Sequence, residues 1–392
     1  MTPTPGGGGP LDGVRVIELV GLGPGWFTGM LLADLGAEVV RVDRVAEARS
    51  ADRSRPATNA MHRGKRSVAL DLKQAGGVEA FLRLCEGADA VIEVFRPGVA
   101  ERLGIGPDDC LARNPAIVYG RLTGWGQDGP MAQEAGHDID YIALSGALEP
   151  LGRAGQPPTP PINVLGDFAG GGMLLAFGIV SAVLAASRTG AGQVVDAAMV
   201  DGAALLLTPF FSARNSGFWG PRGTNHLDTG SHFYEVYECA DGGWVAVGAI
   251  EPHFYAALLE GLGLVGDGVD DPEDPAEQMD PSLWPAKKER FAAIFRTRTR
   301  DEWCSLFAGR DACVAPVLSP EEAPAHPHAV ARSAFLTIDG VPQPAPAPRF
   351  SVTPENVAGP PHHPGDDTDA VLAAAGYSPD ELADLRAAGA IA

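Results

Sequence analysis

Val14-Arg-Val-Ile-Glu-Leu-Val20, the turn Gly21-Leu-Gly-Pro-Gly25, an apolar stretch to Leu35 and then Glu38-Val-Val-Arg-Val-Asp43 decide the fold class. The first run alternates as a strand does. The middle repeats with helical spacing, Gly36 stops it, and the last run is rich in β-branched residues. Strand, helix and strand in succession form a β-α-β unit, which implies a parallel sheet with a right-handed crossover. The pattern recurs at Val68–Leu72, in a helix around Gly77–Cys85, and at Ala88–Phe95. Further strands are expected at Ala116–Leu122 and Gln193–Asp196. The expected class is α/β, with a Rossmann-like open parallel sheet forming a large domain over residues 1–225.

The texture changes beyond that point. Ser231–Cys239 and Trp244–Ala249 flank an Ala-Asp-Gly-Gly turn, a strong hairpin signal. Helical segments follow at 252–262, 286–297 and 300–308, so residues 226–325 read as a smaller α+β domain. The remaining segment, 326–392, is expected to complete the large domain. Within it, 341–366 is rich in Pro and His and reads as extended, and Ser378–Ala388 as a short final helix.

A formal charge of −21 argues against nucleic acid or an anionic membrane as partner. Residues 168–187 carry no charge, but their glycines and moderate hydrophobicity fit a buried helix better than a membrane span. Met1–Pro10 has the composition of a loose terminus, with no basic, apolar leader. The cysteines (Cys85, Cys110, Cys239, Cys304, Cys313) have no metal or redox spacing, which fits a soluble protein of the reducing cytoplasm. Between Arg41 and Arg66, eight basic residues face three acids, Asp43, Glu47 and Asp52. In so acidic a chain this cluster suggests a pocket for a small polyanion, with a solvated basic loop as the plainer alternative.

Several residue groups could carry chemistry. The Gly-rich turn resembles a dinucleotide fingerprint but has Trp26 where the third glycine belongs and an intruding Pro24. A loop that admits phosphate near a helix start survives that failure, with Arg44 and His62–Arg66 as partners. Phe95-Arg-Pro-Gly-Val99 and Glu101-Arg-Leu-Gly104 follow a buried strand, where open α/β sheets bind ligands, and offer Arg96 and Arg102 for anions. His137 starts a helix, where the dipole favours the neutral imidazole that a base needs. Asp167 heads the long apolar helix and could be a plain cap. The glycines after it would also let a ligand approach the backbone, whose amides could hold an enolate oxygen. Glu251, between an apolar strand and Pro252, could cap a helix or orient an imidazole. No spacing suggests a metal site.

Read in order, RVIEL, GPG, LLADLGAEVVRVDR, KRSVALDLK, VIEVFRPGV with ERLG, and RLTGWGQDGP resemble the family III CoA-transferase (CaiB/BaiF-like) superfamily. Gly136-His137-Asp138-Ile139, Gly166-Asp167-Phe168 and Val247-Gly-Ala-Ile-Glu251-Pro252 resemble, within it, the α-methylacyl-CoA racemases. The resemblance implies an interlocked homodimer and a substrate that is a coenzyme A thioester, with no further cofactor required. It implies catalytic roles for His137 and Asp167, with Glu251 supporting the histidine. It also implies coenzyme A contacts at Arg44, Leu70, Asp71, Leu72, Lys73, Val94, Phe95, Arg96, Arg102, Gly136, Asp138, Ile139, Asp140 and Tyr141. The expected reaction is epimerisation of 2-methylacyl-CoA thioesters by 1,1-proton transfer through an enolate. The rival within the superfamily is transfer of coenzyme A between carboxylic acids through an Asp167 acyl anhydride. His137 favours racemisation, because the transferases generally lack a histidine there. An idle acyl-CoA binder is disfavoured by the presence of all three acid/base groups.

Overall fold

The computed structural model describes residues 8–21, 23–266, 269–353 and 359–392. Residues 1–7 of the expected loose terminus, Leu22 of the first turn and residues 354–358 of the Pro/His stretch lie outside the described residues. Six strands, β1 (Arg15–Leu19), β2 (Glu38–Asp43), β3 (Lys65–Ala69), β4 (Ala90–Glu93), β5 (Val118–Thr123) and β6 (Val194–Ala198), form one parallel sheet. Its order is β3-β2-β1-β4-β5-β6, so the chain reverses its winding between β1 and β4. In such sheets a crevice opens at that switch point, beyond the carboxyl ends of the strands.

The helices of this unit are α1 (Gly23–Asp34), α2 (Val45–Ser50), α3 (Ala75–Cys85), α4 (Val99–Leu103), α5 (Pro107–Arg113) and α6 (Asp138–Leu144). A π-helical turn, Val164–Met173, then continues into α7 (Leu174–Thr189), and α8 (Met199–Leu206) follows β6. Neighbouring strand residues feed opposite layers. Ile17, Val91 and Tyr119 pack with Phe81 of α3, while Val16, Ile92 and Val118 pack with Leu175 and Ile179 of α7. Burial on both faces explains why these strands read as apolar runs rather than clean alternations.

Three expectations change. The third strand is Lys65–Ala69, not Val68–Leu72, because the charges of Lys65 and Arg66 are answered by Glu18 and Glu38. Leu70 instead bridges to Ile391, and the Asp71 amide donates to the Ala390 carbonyl at 2.8 Å. Asp167 is not a cap, since it lies inside the π-helical turn. Finally, the glycines after it serve packing rather than ligand approach. A Cβ on Gly170 would lie 2.7 Å from the Ala203 amide, and one on Gly172 2.8 Å from the Pro24 carbonyl. The long apolar helix buries Leu175, Ala176, Ile179, Ala182 and Ala186, while Met173, Phe177 and Leu184 remain exposed.

A second compact unit comprises Gly146–Pro161 and Leu207–Arg332; Ile162–Leu206 and Ser333–Ala392 belong with the first. It contains the antiparallel strands β7 (Tyr234–Glu238), β8 (Trp244–Gly248) and β9 (Val314–Val317), with β8 in the centre. Its longer helices are α9 (Thr208–Asn215), α10 (Pro252–Leu262), α11 (Trp284–Phe295) and α12 (Arg300–Phe307). Phe233, Tyr255, Trp284, Phe291 and Trp303 fill its own core.

The segment from Ser333 to Ala392 is more structured than its composition suggests. Phe335–Ile338 and Val341–Pro344 form a hairpin, and helices Thr368–Ala374 and Pro379–Ala387 follow. Asp367 Oδ2 accepts from the Ser67 amide at 2.8 Å and meets His362 Nδ1 at 2.7 Å, clasping this segment to β3. The hydrogen bond to Asp367 raises the His362 pKa above its ordinary 6.5. Burial opposes ionisation of Asp367, but its bonds to His362 and Ser67 outweigh that and lower its pKa. The histidine's contribution is whole below 6.5 and is lost as pH rises through its raised folded value; the aspartate's is lost only in acid. Protection factors for amide exchange across residues 359–368, taken relative to the intrinsic rate at each pH, should therefore fall between pH 6 and pH 9, and His362→Ala should flatten that fall. Protection factors that stay constant over that range in the native protein would refute the clasp.

Candidate active site

A cleft of about 500 Å³ opens beside the switch point. Gly23–Gly25 at the start of α1, Val94–Pro97 after β4, Leu122–Trp125 at the end of β5, and Gly136, His137, Tyr141, Asn163 and Asp167 all line it. The expected residues Val94, Phe95, Arg96, Gly136, His137, Tyr141 and Asp167 thus come together in one place.

His137 is the N-cap of α6, and its amide donates to Asp140 Oδ2 at 3.0 Å. Its imidazole is exposed and makes no hydrogen bond among the described residues. Asp167 is half-buried, and Asn163 Nδ2 donates to its Oδ2 at 2.9 Å. Burial raises the Asp167 pKa; the Asn163 bond opposes this, the neighbouring Asp138 charge adds to it and His137 opposes it. A carboxyl held closer to its protonated form, in one cleft with an imidazole, can serve as acid as well as base. Tyr141 packs edge-on against Trp125 at 4.8 Å and donates to the Gly136 carbonyl. Burial pushes its pKa up to about 12, which makes it a donor rather than a base.

The loop after β4 is held from below. Fully buried Glu93 accepts from the Phe95 amide and, at 2.9 Å, from Arg121 Nε; Arg121 Nη1 reaches Glu101 Oε1 at 2.7 Å. Burial pushes the Glu93 pKa up to about 7 against the pull of Arg121. Sequence reading missed Glu93, Arg121, Asn163 and Trp125. For Asn163 a usable signal existed, its spacing four residues before Asp167 within one helical turn.

Other expected residues stand elsewhere. Arg44 leads α2, largely exposed and 3.7 Å from Glu47. Leu70 is buried, Asp71 accepts from the Lys73 amide and Gln74, Leu72 packs at the rim of a core, and Lys73 is exposed. The Arg102 head lies near Gly98, below the β4 loop. Ile139 and Asp140 are exposed on α6, whereas the Asp138 carboxylate is buried and bonded to the amides of Gly166 and Asp167. In the second unit Glu251 is the N-cap of α10, with its side chain not engaged in capping.

The polyanion pocket expected from Arg41–Arg66 is not what most of those charges form. Arg53, Arg63, Lys65 and Arg66 pair with Asp366, Asp34, Glu18 and Glu38, all outside the run, and Arg41 pairs with Asp43 inside it. The cluster looked uncompensated because its partners lie far away in sequence.

Fold and cleft together define an α/β protein with an imidazole and a carboxyl set at the carboxyl ends of a doubly wound sheet. Residues 11–368 match the model of CoA-transferase family III, and the chain belongs to that family. It is 48% identical over 381 residues to an alpha-methylacyl-CoA racemase of Mus musculus, covering 96% of each chain. Against the alpha-methylacyl-CoA racemase of Homo sapiens the identity is 44% over 387 residues, again 96% of each. The crystal structure of a CaiB/BaiF family protein from Brucella suis superposes with a TM-score of 0.78 at 25% identity, over 94% of this chain and all of that one.

Proposed function

We propose that the chain is an α-methylacyl-CoA racemase, which inverts the α-carbon of 2-methylacyl-CoA thioesters. The observation that carries the reading is the pairing of His137 with Asp167 in one cleft, with the Asp167 carboxyl biased toward its protonated form. A thioester acidifies its α-carbon because the carbanion spreads onto the carbonyl oxygen. Inversion then needs one group to take the proton from one face and another to return it on the opposite face. A neutral imidazole and a carboxylic acid meet that need in one direction, imidazolium and carboxylate in the other. Arg96 and Arg102, with Arg44 and the Leu70–Lys73 segment, are assigned to the coenzyme A moiety, which is part of the substrate; no separate cofactor is required. Glu251 is assigned to support the imidazole.

The working form is assigned as an interlocked homodimer, which the exposed apolar residues Met173, Phe177 and Leu184 of one helix support. Sedimentation as a monomer would count against it. The compartment is assigned as the cytoplasm, in keeping with five free cysteines.

The test is proton NMR of a (2R)-2-methylacyl-CoA in D₂O without any acceptor acid. Loss of the α-proton signal with appearance of the 2S isomer supports racemisation. Retention of that proton, while an added carboxylic acid gains coenzyme A, would make the enzyme a transferase acting through an Asp167 anhydride.

A further inference from the structure

Asp138 is the first residue of α6 and adjoins His137, yet its side chain serves the other half of the site. It is 4% exposed, and its Oδ2 accepts from the Gly166 amide at 2.6 Å and the Asp167 amide at 2.7 Å. Amides in the opening turn of a helix have no acceptor within the helix, so these two depend on an outside group. Gly166 is shaped for this approach, since a Cβ there would lie 2.7 Å from Asp138 Oδ2. The second oxygen, Oδ1, is buried without a hydrogen-bond partner among the described residues. Such an exposed debt in a buried carboxylate is rarely retained for stability alone and points to a working site.

We propose that Asp138 is a positioning residue for proton transfer: its carboxylate clamps the backbone of Asp167 at a fixed offset from His137 and places a negative charge beside the Asp167 carboxyl. This rests on the reading that His137 and Asp167 exchange the α-proton. One peptide bond joins Asp138 to His137, and one hydrogen bond joins it to the Asp167 amide. The two reacting groups are thereby set against each other through a single buried side chain. A displacement of about 1 Å between such groups can cost on the order of 10²-fold in rate.

The charge has its own consequence. The charged groups acting on Asp167 are Asp138 and His137, both at the start of α6, while Asn163 donates to it from its own turn; Arg96 and Glu134 line the same cleft. Tyr141 lies one turn further along α6. The faces of α1 and α8 against this turn present Phe27, Thr28, Met199 and Gly202, none of them charged. Asp138 is the carboxylate bonded to the Asp167 backbone, and its charge makes the Asp167 proton harder to lose.

Asp138→Asn and Asp138→Ala separate the two effects. The Asn variant keeps an oxygen for the amides and deletes the charge. Its kcat should fall about 10-fold, and the acid limb of its pH–rate profile should move to lower pH. The Ala variant loses the clamp as well, and its kcat should fall on the order of 10²-fold or more, with KM for the acyl-CoA within about twofold of the native value. If the Ala variant fails to fold, the Asn profile alone decides. A native profile in Asp138→Asn, or a loss confined to KM, would overturn the proposal and make Asp138 a ligand contact or a purely structural residue. Native enzyme assayed alongside separates the two levels. If it leaves the α-proton in place, the racemase reading fails and the proposal with it; if it exchanges that proton, an Asn variant with the native profile sinks the proposal alone.

Discussion

His137→Ala and Asp167→Ala should each lower interconversion of 2R and 2S acyl-CoA by at least about 10³-fold, at the upper range of what a positioned acid or base supplies. The two losses should not look alike. With one base removed, the other can still take the α-proton from its own face and give back a deuteron there. Each variant should therefore exchange the α-proton of one epimer with D₂O while failing to invert it, and the two variants should choose opposite epimers. Chiral analysis and proton NMR on the same samples read both quantities. Asp167→Asn should behave as Asp167→Ala, because an amide keeps the Asn163 contact but cannot carry the proton. Loss of exchange with both epimers in both variants would mean that the groups act as a unit on one face, against the two-face mechanism.

The sequence was most legible where the physics is local. The β1-α1-β2 unit needs only alternation, a glycine stop and β-branched residues, and all three are contiguous. Likewise α10, α11 and α12 fall close to the helices expected from spacing and capping. What escaped depends on partners far along the chain. Lys65 and Arg66 read as loop residues because their partners, Glu18 and Glu38, lie 47 and 28 residues away. The 341–366 stretch reads as extended because the partner of its Gly365 amide, the Ser67 hydroxyl on β3, lies 298 residues away.

The site divided along the same line. His137 and Asp167 were found by residue type at helix starts and by the resemblance, and the cleft brings them together. Asp138 stands within the same motif, and the sequence alone does not show its bonds to Gly166 and Asp167, which span 28 and 29 residues. Glu93 gave no signal at all, since a glutamate ending a buried strand looks like any strand terminus until Arg121 on the next strand is placed beside it.

Lys65→Met should be the most destabilising single change in the large unit. Lys65 Nζ meets Glu18 Oε2 at 2.5 Å, both side chains are fully buried, and the same ammonium donates to the Trp26 carbonyl at 2.7 Å. Burial raises the Glu18 pKa and lowers that of Lys65, in each case against the mutual attraction of the pair. Removing the lysine alone strands a carboxylate whose other oxygen already lacks a partner among the described residues. Breaking such a pair costs about 3–5 kcal/mol. Replacing both members, as in Glu18→Leu with Lys65→Met, removes the stranded charge along with its partner and should recover most of the loss, since buried pairs often contribute little net stability over apolar residues of similar volume. Urea unfolding of the native protein, both single variants and the double variant gives the coupling directly. A Lys65→Met loss below about 1 kcal/mol, or single-variant losses that simply add in the double, would mean that water reaches this pair and that the ammonium is not what lets a lysine begin a buried strand.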